Sequence, residues 1–166
     1  MTTVRSIERM ATDQRVILTI QAGQSVSQAA RLLGDHRVGA LVVLNEAGEL
    51  VGIISERDIV SKVVAPCRDL QTTPVAHAMT APVISCRPDT PVEEAHRLMG
   101  QHHVRHLPVV ENGRAVGMVS SRDILLHELT TTRELARRQS KVLTDLERQH
   151  PGITQLETDH VGRVVI

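Results

Sequence analysis

A chain of 166 residues has room for one ordinary domain or two small ones, and 41% hydrophobic content is enough for a core. Its 19 basic and 19 acidic side chains cancel, leaving no overall field to draw nucleic acid or an acidic membrane surface. Phe, Tyr and Trp are all absent, so single-stranded nucleic acid has no aromatic platform to stack on, and any flat base bound here must be held by aliphatic side chains and backbone groups.

No apolar run reaches the length of a membrane span, and the N-terminal residues 1–8 lack the apolar core of a signal peptide. The expected location is the cytoplasm. Two cysteines, Cys67 and Cys86, are too few for a disulfide scaffold and lack Cys-x-x-Cys spacing; both are expected to be reduced thiols.

In chain order, Val4, Ile7 and Met10 recur every three residues, which predicts a short amphipathic helix against the body of the protein. Residues 16–20 read as a strand and 21–24 as a turn. Ser25 with Gln28 makes a capping box, and Val26, Ala29, Ala30 and Leu33 form one apolar helix face. A strand over 40–44 and a turn over 45–48 lead to a strand and helix beginning at Leu50. Residues 61–78 form a connection that is helical at first and broken by Pro66 and Pro74.

The order then repeats. A strand is predicted over 82–86. Thr90 with Glu93 reads as a capping box, with Pro91 at the first helical position. Val92, Ala95, Leu98 and Met99 form the buried face, and a strand over 107–110 holds a proline that suits an edge. Asn112-Gly113 signals a hairpin. Val26 aligns with Val92 and Asp58 with Asp123, a period that points to duplication of a small domain rather than a solenoid. Each half offers about three strands and two helices, too few to bury its apolar faces alone, so the halves are expected to pack as one pseudo-twofold α/β body of α+β type. Beyond it, Thr131 with Glu134 reads as a further capping box, opening a helix striped by Leu135, Gln139, Val142, Leu143 and Leu146 and stopped at Pro151-Gly152. Residues 153–157 and 163–166 could pair as a hairpin, which must dock to be stable.

The segment Leu50-Val-Gly-Ile-Ile-Ser-Glu-Arg-Asp-Ile59 returns as Ala115-Val-Gly-Met-Val-Ser-Ser-Arg-Asp-Ile124. One reading is structural: Ser55 and Ser120 cap a helix, with Asp58 and Asp123 at its positive end. The other is an anion site at the end of a strand, with Arg57 or Arg122 beside it. Capping requires neither the arginine nor the glycine, and both occur twice.

The repeated Gly-x-x-Ser-x-Arg-Asp, preceded by Val38-Gly-Ala-Leu-Val-Val or Val104-Arg-His-Leu-Pro-Val-Val, resembles the CBS domain, and two in tandem resemble a Bateman module. The resemblance covers roughly residues 1–127. It divides the chain into repeat 1 with the N-terminal helix (1–65), linker and repeat 2 (66–128), and a helix and hairpin extension (129–166). It implies two clefts that bind AMP, ADP, ATP or S-adenosylmethionine, and a homodimer acting on an unknown protein target. Carried over by position, Asp58 and Asp123 would accept from ribose hydroxyls, Ser55 and Ser120 would donate to phosphate or ribose, and Arg57 and Arg122 would neutralise phosphate. The backbone of Ile17, Leu18, Val83 and Ile84 would read the adenine edge, with Val16 and Pro82 covering its face. Arg105 and His106, aligned with Gly39 and Ala40, would give the Asp123 cleft the larger positive charge.

Two rival classes have weaker support. No Gly-x-Ser-x-Gly, Walker loop or His-Glu-x-x-His occurs, so the expectation is a non-enzyme. A metal-binding reading would use His102, His103 and His106, which His36, His77 and His96 could join in space, but the adjacent His102 and His103 at a helix end diverge, whereas zinc needs convergent ligands. A dimerising scaffold without nucleotide is the remaining alternative.

Overall fold

The computed structural model describes residues 2–11, 17–149, 157–158 and 164–165. These fall into two compact units that part within one long helix, Met1–Leu125 and Leu126–Ile166.

The first unit holds the duplicated fold. Helix α1 (Val4–Ala11) precedes β1 (Thr19–Gln21), α2 (Val26–His36), β2 (Ala40–Leu44), β3 (Leu50–Ser55) and α3 (Glu56–Ile59), which runs on as a π-helical turn over Val60–Val64. A short α4 (Val75–Ala78) lies in the connection. The second repeat supplies α5 (Val92–His102), β4 (His106–Glu111), β5 (Arg114–Ser120) and the start of α6 (Ser121–Gln149). In the first sheet β1 runs parallel to β2, and β2 antiparallel to β3, with Ile20 beside Val43. In the second, β4 and β5 pair antiparallel, and Cys86 alone bridges Val109 in parallel. Cys86 thus takes the place of Ile20, but the strand predicted over 82–86 shrinks to that one bridge. Thr80 is bonded to Ile53 in both directions, at 2.8 and 3.2 Å, so the chain from 81 to 85 must cross between the sheets and cannot run along β4.

The segment before each repeat packs on the other repeat. Val4 donates to Thr90 O (2.9 Å) and Val92 to Thr2 O (3.1 Å); Val75 donates to Gln24 O (2.8 Å) and Val26 to Thr73 O (2.9 Å). Val4 and Ile7 accordingly lie in the core of Val92, Ala95, Met99, Leu107, Val109, Val119 and Ile124. Val75 and Ala78 lie in that of Ile20, Val26, Ala29, Leu33, Leu41, Val43 and Ile54. This exchange stitches the halves together through main-chain bonds and buried side chains, which accounts for how two small repeats make one body.

The Ser25 and Gln28 capping box forms as predicted. The Thr90 and Glu93 box does not. Helix α5 starts at Val92 with Pro91 as its cap residue and no side-chain cap bond, because the N-terminal segment occupies the backbone at Thr90 and Val92, while Thr90 Oγ1 accepts from Arg87 N (2.9 Å). The helix start predicted at Thr131 is also corrected: α6 is continuous, and the Thr130, Thr131 and Thr132 hydroxyls donate back to the carbonyls of Leu126, His127 and Glu128, a bond that keeps threonine inside a helix.

In the second unit Leu135, Val142, Leu143 and Leu146 are exposed on α6. Strands β6 (Glu157–Thr158) and β7 (Val164–Val165) pair antiparallel, Glu157 with Val165 and Thr158 with Val164. The stop predicted at Pro151-Gly152 lies outside the described residues. No helix among the described residues is long and apolar enough to cross a membrane.

Candidate ligand cleft

The first signature turn is a helix cap before it is anything else. Ser55 ends β3 in extended conformation and caps α3: Ser55 Oγ accepts from Asp58 N (3.3 Å), and Asp58 Oδ2 accepts from Ser55 N (2.9 Å) and Ser55 Oγ (2.5 Å). This reciprocal box satisfies donors that a helix start leaves open. The other carboxylate oxygen, Oδ1, accepts from Thr80 Oγ1 (2.7 Å) and pairs with Lys62 Nζ (2.7 Å). Lys62 Nζ also donates to Thr80 Oγ1 (2.9 Å) and Met79 O (3.1 Å). Burial by itself would raise the Asp58 carboxyl, but the bonds from Lys62, Ser55 and Thr80 outweigh it and hold the group below its ordinary range.

Beside Asp58 opens a cleft of about 310 Å³, lined by Gly39, Ile53, Ser55, Glu56, Arg57, Asp58 and Thr80 from one side and by residues 102–106 from the other. Its two walls therefore come from different repeats. Arg57 Nη1 donates to His103 O (3.4 Å), linking α3 to the turn after α5. His103 ends α5 in the left-handed region at φ 53°, as Arg37 ends α2, and this turn sends Val104, Arg105 and His106 along the cleft. The His106 ring covers Gly39, where an added Cβ would come within 2.8 Å of Cε1 and Nε2. Burial pushes the His106 imidazole below its ordinary value; Asp123 and Glu56 oppose the shift and Arg105 adds to it. Gly52, the signature glycine, faces Met79, whose Sδ and Cγ leave no room for a Cβ. That glycine thus makes room for the Met79 side chain.

A family model described as the CBS domain matches residues 4–65 and again 75–129. The chain belongs to the CBS-domain family. The CBS domain-containing protein YhcV of Bacillus subtilis is 36% identical over 114 residues, spanning 69% of this chain and 80% of YhcV. A CBS-domain protein from Burkholderia ambifaria superposes with a TM-score of 0.74 at 34% identity, over 78% of this chain and 95% of its own. The CBS domain pair of protein MJ0100, solved in complex with 5'-methylthioadenosine and S-adenosyl-L-methionine, gives 0.66 at 28% identity, over 80% and 98%.

The two CBS repeats build their signature turns alike. Asp123 Oδ2 accepts from Ser120 N (2.8 Å) and Ser120 Oγ (2.7 Å), and Ser120 Oγ accepts from Asp123 N (3.2 Å). Of the residues read from the sequence, Ser55, Arg57, Asp58, Arg105 and His106 share the cleft. Arg105 and His106, read there with Asp123, stand in the wall facing Asp58, and His106 feels both Asp123 and Glu56. Ile17, Leu18, Pro82, Val83, Ile84, Ser120, Arg122 and Asp123 are not among its lining. Leu18 O accepts from Val42 N (3.2 Å) at the entry to β1, Ile84 packs on the second core, and Pro82 and Arg122 are exposed. Val16 lies outside the described residues.

Sequence reasoning missed Lys62, Thr80, Glu56 and the turn at His103. Lys62 was within reach, since it stands four residues after Asp58 on a helical stretch, where opposite charges meet. Thr80 carried no signal, because its partner is far away in the chain. Among the described residues, no three His, Cys, Asp or Glu side chains form a group suited to a metal ion.

Proposed function

We propose that this CBS pair is a non-catalytic regulatory module that binds an adenosine-containing ligand, AMP, ADP, ATP or S-adenosylmethionine, in its clefts. The observation that carries the reading is the Asp58 cleft. Its volume of about 310 Å³ stands at the lower end of small-molecule sites, and it sets a carboxylate for sugar hydroxyls beside Arg57 and Arg105 for phosphate. The adenosyl ligands held by the MJ0100 pair support the same class.

In this reading Asp58 and Asp123 accept from ribose hydroxyls, Ser55 and Ser120, whose hydroxyls donate to those carboxylates, hold them in place, and Arg57, Arg122, Arg105 and His106 meet the negative end. The backbone of Ile17, Leu18, Val83 and Ile84 takes the adenine edge, between Val16 and Pro82. No step of bond making is assigned: the Ser55 hydroxyl donates to Asp58, a carboxylate paired with Lys62 and held below its ordinary range, and so a poor base for activating a serine. The module acts in the cytoplasm as a homodimer, in which ligand biases the packing of repeats or copies and the exposed face of α6 passes the change to a protein target.

The test is recovery of ligand. Each of the four compounds is dialysed to equilibrium against the full chain and then analysed by chromatography. At least one is retained and returned chemically intact. Retention of none contradicts the binding step, and release of a hydrolysis product contradicts the non-catalytic one.

A further inference from the structure

An ionised carboxylate offers about four acceptor directions, and four donors already fill those of Asp58. Two on Oδ2, from Ser55 N and Oγ, belong to the helix cap. The two on Oδ1 come from elsewhere: Lys62 is one helical turn further on, and Thr80 lies in the connection between the repeats. A vicinal diol brings two hydroxyl donors of its own. With Oδ2 closed by the cap, a diol can enter only by taking Oδ1 from Thr80, from Lys62 or from both.

We infer that Thr80 and Lys62 are a built-in competitor for the sugar, so that a ligand's diol reaches Asp58 by exchanging for their bonds. The inference deepens the adenosyl reading above and rests on it. The exchange leaves neither donor stranded. Lys62 keeps Met79 O and Thr80 Oγ1 as acceptors, and its side chain is 37% exposed, so its charge can rehydrate. The Thr80 hydroxyl still accepts from Lys62, and its proton, released from Oδ1, turns to a ligand oxygen in the cleft that Thr80 lines. The competitor also sits at the root of a tether. The Thr80 backbone is bonded both ways to Ile53 in the first sheet, and Cys86, further along, donates to Pro108 O (3.0 Å) and accepts from Val110 N (2.8 Å) in the second. Loss of the Thr80 side-chain bond is therefore felt on a short segment fixed to both repeats. That gives a ligand at Asp58 a physical hold on the connection, beyond simple occupancy of the cleft.

The experiment titrates AMP and 2'-deoxyadenosine 5'-monophosphate calorimetrically into the full chain, into Thr80→Val and into Lys62→Met. Thr80→Val keeps the side chain's shape and removes the competing hydroxyl. AMP binding tightens about five-fold, the equivalent of one ordinary hydrogen bond. The deoxy compound, with half the diol, gains less, so the ratio of the two affinities rises. Lys62→Met moves the ratio in the same direction, and it decides the matter if Thr80→Val does not fold. A merely structural role would shift both ligands together. Unchanged or weaker AMP binding with an unchanged ratio overturns the inference while leaving the adenosyl reading intact. Failure of all three proteins to bind any of AMP, ADP, ATP or S-adenosylmethionine overturns that reading, and this inference with it.

Discussion

The His106 imidazole occupies the space that a side chain on Gly39 would need, with Cε1 and Nε2 each 2.8 Å from the position of a Cβ. Gly39 comes from the first repeat and His106 from the second, so this glycine sets how closely the two walls of the cleft approach. Gly39→Ala must push the ring aside. Overpacking at a half-buried site of this kind costs about 1 kcal/mol or more, and the expected result is a lower Tm together with an altered cleft. Calorimetry or the helical signal at 222 nm must follow the unfolding, because the chain has no aromatic side chain to report it.

His106 makes a second prediction, with a definite sign. Burial holds its folded-state value below the ordinary 6.5, so the unfolded chain takes up its proton first as pH falls. Stability linked to this group is therefore complete above about pH 6.5 and is lost as pH falls through the lower folded value. Carbon-detected NMR of the imidazole reads the titration directly. Asp123→Asn and Glu56→Gln are expected to push it further down and Arg105→Gln to bring it back up, following the charges that surround it.

Asp58 behaves in the same formal sense at a lower pH. Its folded-state value lies below the ordinary 3.8, so its contribution is present above that pH and disappears as pH falls through the depressed value. Lys62→Met removes the ammonium from Oδ1. Because Lys62 is partly exposed, the cost at neutral pH is about 1 kcal/mol rather than that of a buried pair. That loss shrinks toward zero in acid, where wild type and variant converge. A difference that stays constant as pH falls through the depressed Asp58 value would show that packing, not charge, is what Lys62 supplies.

The two predicted capping boxes separate what a sequence reveals from what it hides. Ser25→Ala is expected to cost about 1 kcal/mol, the usual price of a lost cap, because its hydroxyl accepts from Gln28 N (3.3 Å). Thr90→Ala is expected to cost less, since no side chain caps α5. Paired chemical denaturation of the two variants checks the order.

The contrast has a general cause. Local patterns were legible: the caps at Ser25, Ser55 and Ser120 and the turn at Asn112 all depend on residues within a few positions of each other. The duplication was legible for a further reason, since two copies of one motif exclude chance. What the residues did not disclose is pairing across the chain. The packing of Val4 and Ile7 in the second core, the single bridge at Cys86, the bond from Thr80 to Asp58 and the approach of Arg105 and His106 to the Asp58 cleft follow from the exchange of segments between repeats. No local propensity records that exchange.

The most direct measurement of the central claim is thermal stability against ligand concentration. A ligand that binds only the folded chain raises Tm progressively. Wild type is heated with increasing AMP, ADP, ATP or S-adenosylmethionine, alongside the double variant Asp58→Asn, Asp123→Asn, which keeps an oxygen able to accept from the backbone N–H of Ser55 and of Ser120. The account predicts a concentration-dependent rise in wild type for at least one compound and none in the double variant. A rise of equal size in both, or no rise with any of the four, would contradict it.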